Sequence, residues 1–97
     1  MKAIFISYNK ALSEAVMTIL DRQRIRGYTQ WETVTGRASV NAEPHLGNHT
    51  WPSSNSAILT IVGDDKVEPL LSSLRKLDAQ TEMQGTRAFV WNIEGQL

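Results

Sequence analysis

Two near-continuous apolar runs, Lys2 to Tyr8 and Ala57 to Val62, constrain this chain more than any other feature. Neither shows a clean polar alternation, so each reads as a strand buried on both faces. Each is followed by an amphipathic helix and then by a second strand. Asn9 is placed to cap the first helix, in which Leu12, Ala15, Val16, Ile19 and Leu20 recur at the i, i+3, i+4 spacing of one apolar face. Gly27 is the expected helix stop. Tyr28 to Thr35 reads as a strand whose Trp31 and Thr33 alternate with Gln30 and Glu32, as on a partly exposed edge. After Val62, Asp65 and Glu68 have the spacing of a capping box for a helix starting at Lys66. Pro69 then falls in or just after the first turn, where a missing N–H costs least. Val67, Leu70, Leu71, Leu74 and Leu77 form its apolar stripe. A polar connection, 79–84, is closed by Gly85, and Arg87 to Ile93 reads as the fourth strand.

The order β-α-β, loop, β-α-β predicts an α+β, ferredoxin-like βαββαβ sandwich. Its antiparallel four-stranded sheet carries two helices on one face. The first and third strands, the most apolar, belong at its centre. Two helices cover only one face of such a sheet. Ile4 or Ile6, with third-strand residues of matching parity, is expected on the uncovered side. Exposed apolar patches of that size mark interfaces, so a cyclic homo-oligomer is expected. The chain has 97 residues and no cysteine, so a single domain of this size has no disulfide to supplement a small core.

Ten basic and ten acidic side chains cancel, which argues against a nucleic-acid partner. Arg22, Arg24 and Arg26 read as a solvated helix end. The opening apolar run is too short for a signal peptide or a membrane span, and a cytoplasmic location is the expectation. Without cysteine, thiolate catalysis and Cys-ligated zinc are excluded. No Ser-His-Asp arrangement, P-loop or motif-placed carboxylate pair appears, so an enzyme is not expected. Asp64 and Asp65 read as helix-capping residues.

The 37–55 segment is polar and rich in Pro, Gly and Asn. Loops of that length in compact domains are uncommon and usually functional or disordered. It is expected to be flexible. It holds Glu43, His45 and His49, whose carboxylate and imidazoles suit zinc, copper or nickel. It also holds Trp51, next to Pro52, as a candidate partner contact. Trp31 and Trp91 are expected in the core or at a subunit interface.

The chain resembles the PII-like superfamily of trimeric signalling proteins. The resemblance is carried by Met1-Lys2-Ala3-Ile4, Gly27-Tyr28-Thr29, Thr35-Gly36-Arg37, Ile61-Val62-Gly63-Asp64-Asp65 and Gly85-Thr86-Arg87-Ala88-Phe89-Val90-Trp91. It implies a homotrimer that binds a small effector, such as a nucleotide, in clefts between subunits. The 37–55 loop corresponds by position to the family's T-loop, which engages a membrane transporter or another target protein. By the same resemblance, Thr29, Gly36 and Val62 match positions near the adenine, with Arg37 flanking Gly36. Gly85 and Arg87 match the phosphate-holding turn. Pro44 to Pro52 looks like the divergent branch associated with heavy-metal and other transporters. The alternative function is therefore a metal-binding accessory protein of a transport system.

If the loop holds a divalent metal, its histidines must be neutral. Affinity should therefore weaken as pH falls through about 6.5, the reference histidine value. Zinc, copper or nickel titration of the wild type against a His45→Ala, His49→Ala double variant checks this. Equal affinity in the two proteins would remove both histidines from the ligand set.

Overall fold

In the computed structural model, residues 1–37, 54–81 and 84–97 are described. The strands are β1 (Lys2–Asn9), β2 (Thr29–Val34), β3 (Asn55–Val62) and β4 (Arg87–Asn92). A 3₁₀ turn, Lys10–Leu12, leads into α1 (Ser13–Arg22), and α2 (Asp64–Gln80) joins β3 to β4. All strand pairs are antiparallel, in the order β2-β3-β1-β4. This is the ferredoxin-like sandwich, with the two most apolar strands at its centre.

Strand parity decides what each face carries. Ile4, Ile6 and Tyr8 of β1 are fully buried with Ile58 and Val62 of β3, Val16 and Leu20 of α1, and Leu70 and Leu74 of α2. Ile4 and Ile6 therefore both face the helices, which corrects the expectation that one of them lies on the uncovered side. Residues two apart on a strand share a face, so the opposite face of β1 carries Ala3, Phe5 and Ser7. The pairings Ala3↔Ile61, Phe5↔Leu59 and Ser7↔Ala57, with Ala3↔Trp91 and Phe5↔Phe89, extend that face across the sheet. Trp31 joins it opposite Ala57. Trp31, Ile61, Phe89 and Trp91 are 45%, 39%, 57% and 48% exposed there, so the two tryptophans are not part of this chain's own core.

Several buried polar groups of the central strands are hydrogen-bonded, while Thr86 Oγ1 and Gln23 Oε1 have no partner among the described residues. Between Trp31 and Val34, β2 carries one residue more than β3, a bulge. The Ser56 hydroxyl, fully buried, donates to the Glu32 carbonyl within that bulge at 2.5 Å. Just before β2, the Thr60 hydroxyl donates to the Gly27 carbonyl at 2.6 Å. Tyr8 Oη accepts from Gln30 Nε2 at 3.2 Å. Buried groups left unpaired would each cost about 1–3 kcal/mol, so these bonds hold the edge strand to the centre where ladder pairing is interrupted.

The helix ends differ from the sequence expectation. The α1 helix stops at Arg22, five residues before Gly27. Arg24 takes the left-handed conformation, with φ 58°. Its N–H donates to Asp21 O at 3.0 Å and the Ile25 N–H to Leu20 O at 2.9 Å, the paired closure of a Schellman motif. Ile25 and Leu20 both lie in the core. That apolar contact places the stop here and accounts for a non-glycine residue in the strained position. The α2 helix begins at Asp64, with Gly63 as its cap and no side-chain cap bond, so Asp65 and Glu68 form no capping box. Asp64 and Asp65 instead lie in the first turn, where carboxylates suit the positive end of the helix dipole. The helix runs on through Gln80, into the segment expected to be a connection. Gln23 clamps the two helices: its Nε2 donates to Ser73 Oγ at 2.7 Å and to Pro69 O at 3.0 Å.

Arg24→Gly should stabilise the protein by about 1 kcal/mol, because glycine adopts the left-handed cap without the Cβ penalty. The urea midpoint measures it. A lowered midpoint would mean that the Arg24 side chain contributes more than its backbone strain costs.

Candidate functional site

The helix-free β2–β3 connection, 35–54, and the segment 81–86 that leads from α2 into β4 both meet the sheet at one end. There β1 and β2 finish and β3 and β4 begin: Val34 pairs with Asn55, Asn55 with Asn9, and Arg87 with Ser7. This register places four of the sequence-predicted residues at the same end of the sheet, Gly36 and Arg37 at its β2 edge and Gly85 and Arg87 at its β4 edge, three strand spacings or about 14 Å apart. Thr29 lies farther along, exposed on β2 opposite Leu59. Val62 ends β3 seven residues beyond Asn55, about 23 Å away at ordinary strand rise. Its side chain is buried among the helices, while its neighbour Ile61 faces the open side. Within one chain, Val62 is thus remote from Gly36, Arg37, Gly85 and Arg87, and nearer to Thr29, which pairs with Leu59 three residues before it.

The local chemistry follows from backbone geometry. Gly85 has φ 70°, a conformation that side chains rarely adopt. The turn sends Thr86 inward, where it is 6% exposed, and Arg87 outward. Arg87 Nη1 donates to the Thr86 carbonyl at 3.1 Å, and among the described residues no carboxylate pairs with it. Across the sheet, a Cβ on Gly36 would lie 2.8 Å from Asn55 Nδ2. The glycine lets the loop stem press against that buried amide.

Arg87, Ser7, Ala57 and Trp31 stand in one row across the four strands on the open face. A shallow concavity of about 400 Å³ lies at its β2 end, lined by Phe5, Ser7, Trp31, Val34, Thr35 and Ala57. Phe5 and Trp31 meet with ring centroids 6.5 Å apart and planes tilted by 53°. An aromatic wall at one end of a row and a guanidinium at the other suit a ligand that combines a flat ring with an anionic group.

Residues 38–53 and 82–83 are outside those described, so Glu43, His45, His49 and Trp51 have no structural account. Among the described residues, no three His, Cys, Asp or Glu side chains are grouped to hold a metal. None of the described helices is long and apolar enough to cross a membrane.

Sequence reasoning missed Asn9, Lys10 and Gln84 at this end. Asn9 Oδ1 accepts from the Ala11 N–H at 2.9 Å and so caps the 3₁₀ turn; α1 itself has Leu12 as its N-cap, with no side-chain cap bond, which corrects the expectation that Asn9 caps the first helix. Its Nδ2 also donates to Gln84 Oε1 at 2.5 Å, across a separation that no local motif announces.

No protein-family model matches this chain, and no curated protein matches it significantly. Solved structures do. CPII from Thiomonas intermedia K12, a nitrogen regulatory PII-like protein bound to ADP, AMP and bicarbonate, is similar with a TM-score of 0.77 at 22% identity. The match covers 95% of this chain and 84% of CPII. The apo form of CPII gives 0.73 at 23% identity, covering 95% and 87%. A protein from Thermus thermophilus named as a PII-like signalling protein gives 0.69 at 20% identity, covering 95% and 85%. At such identities the likeness speaks to the backbone: this chain has the fold of the PII-like proteins.

Proposed function

We propose that this protein is a PII-like regulatory protein, a homotrimer that binds a small anionic effector between its subunits. The observation that carries the reading is the open sheet face. Trp31, Ile61, Phe89 and Trp91 are large apolar side chains left exposed on one side of a sheet whose other side is fully packed. Burying an aromatic side chain contributes about 1.5–3 kcal/mol, so a small fold gains much by covering this face with further copies of itself. Threefold closure fits the PII-like backbone.

The effector end is assigned to Gly36, Arg37, Gly85 and Arg87. In an assembly, Thr29 and the Val62 backbone come from the remoter parts of the sheet. The support is the left-handed Gly85 turn, which presents an outward guanidinium free of carboxylates among the described residues. An adenine nucleotide is the first candidate, as the class bound by CPII. The 37–55 loop, with Trp51, is assigned to contact with a partner protein, a transporter or another target. The function so assigned is regulatory binding, with no catalytic step.

Light scattering tests the assembly. The wild type should have three times the chain mass at micromolar concentration. Phe89→Asp should yield monomers, since Phe89 is 57% exposed in the single chain and its loss leaves the core intact. A monomeric wild type would end the trimer reading.

Calorimetry with ADP and AMP tests the effector. Arg87→Ala should weaken binding by roughly ten- to a hundredfold, since hydrogen bonds to charged groups contribute about 1.5–3 kcal/mol each. Unchanged affinity in that variant would remove Arg87 from the site.

A further inference from the structure

Asn9 does more than an N-cap requires. Serine, threonine or aspartate caps a helix start as well as asparagine does, through one side-chain oxygen. Asn9 is only 8% exposed and uses both ends of its carboxamide. Oδ1 takes the Ala11 N–H, and Nδ2 reaches Gln84, on the stem of the 81–86 connection. The next residue, Lys10, holds the other connection on both of its sides. Its N–H donates to Ser54 O at 2.8 Å and its Nζ to Thr33 Oγ1 at 2.6 Å. Two adjacent residues at the end of β1 thus join the stem that leads to Gly85 and Arg87 to both stems of the 35–54 connection.

We propose that Asn9 is a positioning residue that couples these stems. A displacement at Gln84 and Gly85 moves the Asn9 carboxamide. Through the rigid β1–α1 turn it also moves the Lys10 contacts with Ser54 and Thr33. The two sets of bonds share one short piece of backbone, buried at Asn9 and exposed at Lys10, so neither stem shifts without loading the other. This deepens the regulatory reading above by naming how the effector end communicates with the loop, and it depends on that reading only where a nucleotide is used.

Hydrogen exchange at the Lys10 amide reports the coupling, because that N–H is bonded to Ser54. Gln84→Ala should speed its exchange about fivefold, the factor that one hydrogen bond of ordinary net strength carries. Exchange at Leu20, in the core, should stay unchanged, which separates coupling from general destabilisation. In an Asn9→Ser background, which keeps the cap but removes the bridging amide, Gln84→Ala should have no further effect on Lys10. Asn9→Asp should preserve the wild-type response, since a turned-over Gln84 carboxamide can donate to the new carboxylate. An unaltered Lys10 rate in Gln84→Ala, or an equal rise in both backgrounds, overturns the proposal. A second arm uses ADP. If the wild type binds it, the Lys10 amide signal should shift in the wild type and stay fixed in Asn9→Ser; a shift in both overturns the coupling. If the wild type binds no ADP, the nucleotide reading falls, and the Gln84 cycle still decides the coupling.

Discussion

A four-stranded sheet whose central strands are apolar on both faces, with two helices to cover them, is the constraint from which the rest of this molecule follows. The helices take one face and fill it with Ile4, Ile6, Tyr8, Ile58 and Val62. The other face is left with Phe5, Leu59, Ile61, Phe89 and the two tryptophans. On the helix side Ser56, Thr60 and Tyr8 find their hydrogen bonds inside the chain. On the open side Trp31, Ile61, Phe89 and Trp91 stay exposed among the described residues. The same sequence property that makes β1 and β3 good central strands thus leaves an apolar face exposed.

The antiparallel register puts the candidate site at an end of this sheet rather than on its face alone. The long β2–β3 connection and the segment joining α2 to β4 both meet the sheet at the same end. Close backbone approach is solved there by glycine, at Gly36 against Asn55 and at Gly85 in the left-handed region. A row of residues then runs from the Arg87 turn across Ser7 and Ala57 to Trp31. Charge lies at one edge of the sheet and an aromatic surface at the other, which suits a ligand that combines a flat ring with an anionic group.

The end of β1 ties this arrangement together. Asn9 and Lys10 direct their hydrogen bonds to residues far away in sequence, at 33, 54 and 84. Such non-local bonds do little for the strand itself. They fix where the connections start and finish.

The sequence by itself determined the number, type and order of the elements. The runs around Ile6 and Ile58 lack polar alternation, and the stripes Leu12–Leu20 and Val67–Leu77 have helical period; both signals are local and repeat along the chain. It also marked Asn9 as a capping residue, though the turn it caps is the 3₁₀ turn ahead of α1. The tertiary structure alone decided which face of β1 the helices take, because Ile4 and Phe5 are equally apolar and a one-dimensional pattern cannot choose between them. It decided that α1 closes at Arg24 rather than Gly27, because the contact of Ile25 with Leu20 in the core outweighs a residue's backbone preference. It separated Val62 from the other candidate residues, since strand register sets distance while sequence spacing does not. And it revealed the bond from Asn9 to Gln84, which exists only because the end of β1 lies beside the start of β4.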